Sequence, residues 1–414
     1  MVGWAADLTW NRFVGHLCWM IELTTTDVAH GGYCVGRCDG VVIFVTGALP
    51  GEVVRVEVTG KRSKLWYARV VEVVEASPDR IAHIWPLAEG AGVGGADLGH
   101  VSLDGGRRWK AQVVAQQLLR VAHQAVDVQV EEAPFEGMPS AWRTRVVLQV
   151  DQAGRLGMYA AKSHQIVPVD GMPLAHEEIQ QAIAEDLAAG MVRAAGGSIS
   201  YVRASGSGLV RVGRGWAQGA DMVEEIVRNS YGCWNYQVAA GGFWQVHRRA
   251  PDVLVEAVLD AVGDLTGPVY DLYAGAGLFT VPLAERAPVT AIEGAPQGVA
   301  ALRHNTAGME VEPRLGDVAR TLTDYQTTGG VVVCDPPRSG AGAATVAQIV
   351  RLRPDKVVYV ACDPTALARD IAIFAQAGYQ LARLRSFDLF PYTHHVECLA
   401  VLVRSAHSQA GAVG

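Results

Sequence analysis

No apolar run in this 414-residue chain is long enough to span a bilayer as a helix. Positive charge is also scarce. Lys and Arg total 35 against 42 Asp and Glu, leaving a formal net charge of -7, whereas polyanion binders usually carry a basic excess. That balance describes only the average, and a local basic groove would still serve. Charged residues of both signs make up 19% and hydrophobic residues 50%, which excludes a disordered chain and indicates a globular one. The 7 cysteines (Cys18, Cys34, Cys38, Cys233, Cys334, Cys362 and Cys398) are scattered, odd in number and mostly embedded in apolar runs. They do not build a disulfide framework and fit a reducing cytoplasm, the expected location. Residues 1–19 carry Trp4, Asp7, Trp10 and Trp19 but neither the basic start nor the apolar centre of a signal peptide. Because Met20 opens a strand-like run, this stretch reads as an extension of uncertain status, and we assign it no function.

At about 150 residues per domain the length suggests two or three domains. Residues 20–80 alternate or run β-branched in IELTTTDVAH, GVVIFVTGAL, EVVRVEVTGK and WYARVVEVVEAS, punctuated by Gly31-Gly32, Pro50-Gly51 and Pro78. Several short strands in so few residues predict a small β-barrel. Within it, Gly60-Lys61-Arg62-Ser63-Lys64-Leu65-Trp66-Tyr67 sets basic beside aromatic residues. Such a turn can hold phosphates and stack bases, or can simply be a solvated hairpin tip. Residues 81–240 mix strand-like runs (WRTRVVLQVD, SISYVRASGSGLVRVG) with a helical pattern at EEIQQAIAEDLAAGM, which predicts an α+β domain. Arg143, Arg145, Arg203, Arg211 and Arg214 are spread through it, facing either RNA or plain solvent. Residues 241–406 alternate apolar strands with amphipathic helices, the pattern of a doubly wound, Rossmann-like α/β sheet, ahead of a tail at 407–414. Its last two strands come without an intervening helix, predicting an antiparallel hairpin at the sheet's edge.

Four motifs in this third domain carry chemistry. Asp271-Leu-Tyr-Ala-Gly-Ala-Gly277 follows a strand and precedes a helix. Its glycines let backbone approach a ligand, and Glu293, at the end of the next strand, can accept ribose hydroxyls. The third glycine of a dinucleotide fingerprint is missing, so an adenosine-bearing cofactor of the methyltransferase type is favoured over a dinucleotide or a plain turn. Asp335-Pro336-Pro337-Arg338 forms a rigid acidic lip at a strand end. Cys362 stands in Tyr359-Val-Ala-Cys-Asp-Pro, also at a strand end, where a lone cysteine is more often structural. Pro391-Tyr-Thr-His394-His395-Val-Glu397 precedes the final strand; adjacent histidines on an extended segment point to opposite faces, which disfavours a shared metal.

Taken together, these motifs and Leu367-Ala-Arg-Asp370 resemble the bacterial RNA 5-methyluridine methyltransferase family, from Met20 to Arg404. The resemblance implies a class I methyltransferase domain that uses S-adenosylmethionine, an N-terminal TRAM barrel that binds RNA, and a monomer. Uracil C5 is a poor nucleophile until a thiolate adds at C6, which makes a cysteine chemically necessary. Carried over by resemblance, Cys362 is that nucleophile and Glu397 the base that removes the C5 proton. Gln245, Tyr273, Gly275, Gly277, Glu293, Asp317 and Asp335 contact the cofactor. The chain departs from the family at Leu278 and Asp363, where asparagine is frequent. Where many ribosomal-RNA members hold an iron–sulfur cluster, Trp85, Val93, Ala96 and Met172 stand in place of cysteines, so no cluster is expected. Rival readings are an enzyme that methylates another target, either a cytosine (with a second cysteine near Asp335) or a protein amine, and an RNA-binding or folding factor that has lost catalysis. The barrel leans the target toward 23S ribosomal RNA over transfer RNA.

Overall fold

The computed structural model describes residues 20–90, 92–134, 137–160, 163–189, 196–213, 216–218 and 221–405. The extension 1–19, the tail 407–414 and Arg214 lie outside the described residues. The chain divides into two compact units. One runs through Val113 and takes in short later pieces that include Pro391–His394; the other holds most of the rest.

In the first unit, β1 (Met20–Ala29), β2 (Tyr33–Cys38), β3 (Val41–Thr46), β4 (Val53–Arg62) and β5 (Leu65–Glu75) close a barrel in the order β1-β2-β3-β5-β4. Alternate residues point inward, so Ile21 and Leu23 meet Ile43, Val45, Val54, Val56 and Ala68 in one buried cluster. Sequence reading did not separate β2, because Gly36 interrupts its pattern. The fold explains that glycine: a Cβ there would come within 2.5 Å of Leu23 Cδ1. One charge is buried with the barrel. Glu52 accepts from Arg80 Nε at 2.6 Å and Nη2 at 2.7 Å, and from the Leu49 and Ser77 amides at 2.8 and 3.1 Å. Two helices follow, α1 (Pro86–Gly90) and α2 (Leu103–Val121).

The second unit begins its sheets with β6 (Val130–Glu132). A six-stranded sheet holds β7 (Arg145–Val150), β8 (Leu156–Tyr159), β9 (Ile166–Pro168), β10 (Ser198–Ala204), β11 (Gly208–Gly213) and β12 (Trp216–Gln218) in the order β12-β11-β10-β7-β8-β9. Helix α3 (Glu177–Ala188) packs on it, and Tyr201 donates its hydroxyl to Asp186 at 2.7 Å. A hairpin of β13 (Met222–Asn229) and β14 (Gly232–Ala239) leads to α4 (Ala250–Val262).

Then β and α alternate: β15 (Val269–Leu272), α5 (Thr280–Ala284), β16 (Val289–Glu293), α6 (Pro296–Asn305), β17 (Val311–Leu315), α7 (Val318–Thr321), β18 (Val331–Cys334), α8 (Gly342–Arg351), β19 (Lys356–Ala361), α9 (Pro364–Gln376), β20 (Tyr379–Asp388) and β21 (Glu397–Arg404). They form an eight-stranded sheet in the order β17-β16-β15-β18-β19-β21-β20-β6. β15 to β19 are mutually parallel, while β21 inserts antiparallel between β19 and β20. The final hairpin is therefore present but is not the edge. β6 pairs with β20 beyond it, parallel, with Ser386 opposite Val130. The middle stretch thus contributes a strand to the α/β sheet, and Val223, Val227, Trp234, Tyr236 and Val238 of β13–β14 share one buried cluster with α4. Strand order reverses around β15 and β18, where open α/β sheets leave a ligand crevice outside the strand carboxyl ends.

Candidate active site at the strand ends

Every strand that ends at this crevice delivers one of the motif residues there. β15 is buried along its length and carries Asp271, fully buried, which accepts from the Thr280 hydroxyl. Burial pushes Asp271 up to about 7. The chain then turns left-handed at Tyr273 (φ 63°), Gly275 (φ 56°) and Gly277 (φ 94°). For Tyr273 that conformation is strained, and it is held in part by the 3.2 Å hydrogen bond between its hydroxyl and that of Thr345. At Gly277 a Cβ would press within 2.9 Å of Leu302 Cδ1, so space and backbone both require glycine.

Glu293, at the end of β16, ties this loop down. One carboxylate oxygen accepts from the Gly275 amide at 2.9 Å and the other from the Ala295 amide at 2.6 Å. A carboxylate offers about four acceptor sites, so ribose hydroxyls can still be taken. Two residues that sequence reasoning passed over support the same loop. A Cβ at Gly298 would lie 2.9 Å from Glu293 Cγ, and Asn305 donates to the carbonyls of Ala276 at 2.9 Å and Gln237 at 3.1 Å. No local pattern marks either of them. Asp317 is exposed, caps α7 by accepting from the Arg320 amide at 3.0 Å, and contributes its charge at Tyr273. Gln245 is partly buried in the loop after β14, two residues beyond Phe243, which is 79% exposed.

Cys362 and Glu397 stand at the ends of two neighbouring strands. β19 and β21 pair antiparallel with Tyr359 opposite Ala400, Val360 opposite Leu399 and Ala361 opposite Cys398. One further step of that register sets Cys362 across from Glu397, and directly opposed residues present their side chains on the same face. The electrostatics agree. Burial, then the charges of Glu397 and Asp335, push the Cys362 thiol up to about 12, with Arg338 pulling the other way. Burial, then Asp335, holds the Glu397 carboxyl well above the usual carboxylate range, again opposed by Arg338. Asp335 itself is raised to about 7 by burial and by Asp271. Cysteine, glutamate, aspartate and arginine therefore form one coupled cluster.

That cluster sits on a braced loop. Asp370 is fully buried and accepts from the Tyr359 hydroxyl at 2.6 Å and from the Ala341 and Gly342 amides at 2.8 and 3.2 Å. Arg369 reaches the Ser339 carbonyl at 2.7 Å. The loop running on from Asp335-Pro-Pro-Arg338 is thus anchored to α9, which is the part the Leu-Ala-Arg-Asp motif plays. Asp363, after the cysteine, caps α9 by accepting from the Thr365 and Ala366 amides at 3.0 and 2.8 Å. Leu278 is buried, and its carbonyl accepts from Tyr236 at 2.9 Å. Cys334 is fully buried inside β18. His394 Nδ1 lies 2.6 Å from Asp97 within the first unit, whereas His395 Nε2 lies 3.4 Å from Arg338 within the second. Among the described residues no grouping of three or more His, Cys, Asp or Glu could hold a metal ion. Trp85, Val93, Ala96 and Met172 are buried apolar side chains, and cluster ligation needs thiolates.

Comparison with known proteins shows the family. Residues 312–405 match the tRNA (uracil-5-)-methyltransferase family model, and residues 20–71 match the TRAM domain. An uncharacterized RNA methyltransferase of Bifidobacterium longum is 39% identical over 92% of this chain and 96% of its own length. Another, of Streptomyces avermitilis, is 38% identical over 93% of this chain and 98% of its own. The chain belongs to the RNA (uracil-5-)-methyltransferase family. A solved structure, the tRNA (uracil-54, C5)-methyltransferase of Pyrococcus abyssi in complex with S-adenosyl-L-homocysteine, has the same fold. It superimposes with a TM-score of 0.68 at 20% identity over 92% of this chain and 100% of that one.

As a family member the protein is an enzyme that methylates uracil C5 in RNA with S-adenosylmethionine, and its barrel is a TRAM domain. The crevice suits that cofactor. Glycine-loop backbone, a strand-end carboxylate at Glu293 and the hydroxyl of Tyr273 offer the groups that a nucleoside with an amino-acid tail requires. The cofactor supplies the methyl group. No helix among the described residues is long and apolar enough to cross a membrane.

Proposed function

We propose that the enzyme methylates uridine C5 in structured RNA through a covalent adduct between Cys362 Sγ and uracil C6. Glu397 removes the C5 proton. The observation that carries this reading is the closeness of Cys362 and Glu397 at the adjoining ends of β19 and β21, with Asp335 and Arg338 acting on both. Sulfur adds at C6 and its electron pair displaces the C5=C6 π electrons into an enolate. The enolate carbon C5 takes the methyl group from the cofactor. Glu397 then accepts the proton left on C5, and that C–H electron pair reforms C5=C6 as the C6–S bond breaks and the thiolate leaves. A carboxylate raised by burial is a stronger base than a surface one, which suits Glu397 to a carbon acid.

Gln245, Tyr273, Gly275, Gly277, Glu293, Asp317 and Asp335 are proposed to hold the cofactor, the first from the loop after β14 and the rest from the strand ends. We further propose 23S ribosomal RNA as the target, a monomeric enzyme and a cytoplasmic site of action. The RNA assignment rests on the barrel's added surface, where Lys61 Nζ lies 4.1 Å from the Trp66 ring centroid and the Tyr33, Phe44 and Tyr67 rings cluster at 5.8 Å. A basic side chain stacked on one ring and a separate cluster of three rings on the same small barrel suit unpaired RNA. Deleting the gene and quantifying 5-methyluridine separately in ribosomal and transfer RNA tests the assignment. Loss from 23S RNA alone is expected; loss from transfer RNA alone reverses the target.

A further inference from the structure

Arg143, Arg145, Arg203 and Arg211 lie along the middle of the chain, and three of them are spent on carboxylates. Arg145 donates to Glu225 at 3.0 Å, Arg203 to Glu178 at 2.8 Å and Arg211 to Glu185 at 3.0 Å. Arg143 differs. Its Nε donates to the Arg145 carbonyl at 3.0 Å, and among the described residues no carboxylate pairs with it. Its guanidinium lies 5.8 Å from the Trp142 ring centroid. Trp142 meets Phe390 edge-on at 5.9 Å, and Phe390 meets His395 at 5.9 Å. His395 Nε2 in turn lies 3.4 Å from Nη2 of Arg338. A continuous path of rings thus joins Arg143 to a second arginine that, among the described residues, also has no carboxylate partner.

Arg143 is half-buried while Arg338 is exposed to water, so the cost of an unpaired charge falls on Arg143. Burial and then the Arg338 charge hold Arg143 below its usual value. Among the described residues no carboxylate offsets that cost, and an anion from outside the protein would. Guanidinium forks match a phosphate best, through paired N–H···O bonds. Arg338 also acts on Cys362 and Glu397, so the anion belongs to whatever reaches that pair. A nucleotide splayed out of its strand brings its own phosphodiester to that place.

We infer that Arg143 and Arg338 together bind a single phosphodiester of the RNA, next to the uridine that enters between Cys362 and Glu397. Which nucleotide lies there rests on the proposed cysteine chemistry; the phosphate site itself does not. Binding of poly(U) to the full chain across a salt series tests it without catalysis. Arg143→Gln and Arg338→Gln should each weaken binding about tenfold. The double variant should lower the slope of log affinity against log salt by about 0.7 in all, the value for one single-strand phosphate. Arg143→Lys keeps the charge and should keep the slope, which guards against a variant that merely misfolds. Arg203→Gln, whose guanidinium already holds Glu178, should leave the slope unchanged. S-adenosylhomocysteine affinity should stay at the wild-type value in every variant. An unchanged slope in the double variant, a loss near twice 0.7, or a fall in S-adenosylhomocysteine affinity after Arg143→Gln overturns the inference. Absence of a Cys362 adduct with intact arginine effects would instead remove the catalytic reading alone.

Discussion

A thiol raised to about 12 is almost wholly protonated at neutral pH, and its thiolate fraction climbs tenfold with each pH unit below that value. Alkylation of Cys362 by iodoacetamide in the free enzyme, followed by peptide mass spectrometry, should therefore speed up about tenfold per pH unit with no plateau before about pH 10. Glu397→Gln removes the charge that, after burial, does most to raise the thiol, and should accelerate alkylation at the alkaline pH values where that raised carboxyl is ionised. A plateau near neutrality in the wild type would contradict the burial argument. The candidate residues were legible because each stands in a motif whose chemistry can be named. Their pairing was not. Cys362 and Glu397 are brought together by a strand register set by the hairpin, and no local spacing encodes it. Gly298, Asn305 and the role of Asp370 were hidden for a related reason: they act on backbone groups far away in sequence.

Between the residues and the fold stand a few elements on which the site depends. Asp370 is one such point, since its loss would orphan the Ala341 and Gly342 amides and the Tyr359 hydroxyl together. Asp370→Ala should cost about 2–4 kcal/mol in urea unfolding, judged from the penalty for buried unpaired donors, and should slow methylation by loosening the loop that carries Asp335. In the barrel, Arg80→Ala leaves Glu52 buried and unpaired, at a cost of about 3–5 kcal/mol. The sign of its pH dependence follows. Although burial raises Glu52, the Arg80 bonds and the Leu49 and Ser77 amides outweigh it and leave the carboxyl below its ordinary value. Its contribution is present above the ordinary glutamate range and is lost as pH falls below about 4. A urea midpoint for the wild type that rises on acidification would contradict this.

Many elements were readable from period and punctuation; helix α2 (Leu103–Val121) and β13 (Met222–Asn229) were among those that were not, and three further ones were hidden for physical reasons that can be named. β2 hides behind Gly36. β17 carries Pro313, which a strand tolerates at a sheet edge, and β17 is the edge. β6 spans only Val130–Glu132, too short for any pattern to show, yet it caps the hairpin expected to end the sheet.

At the scale of the whole molecule, a net charge of -7 is reconciled with an RNA substrate by sorting the arginines. Many of the described arginines are held in ion pairs, so average charge says little about a place such as Arg143 and Arg338, where two stand without carboxylate partners among the described residues. The family relationship establishes uracil-5 methylation with S-adenosylmethionine. What the account adds is the covalent route. Its most direct test mixes unmodified RNA from gene-deleted cells with S-adenosylmethionine and the Glu397→Gln enzyme, then looks for a denaturant-stable protein–RNA species by gel and peptide mass spectrometry. An adduct on the peptide containing Cys362 is expected, and none with the Cys362→Ala, Glu397→Gln double variant. Normal methylation by the Cys362→Ala enzyme, or an adduct on any other residue, would contradict the covalent route.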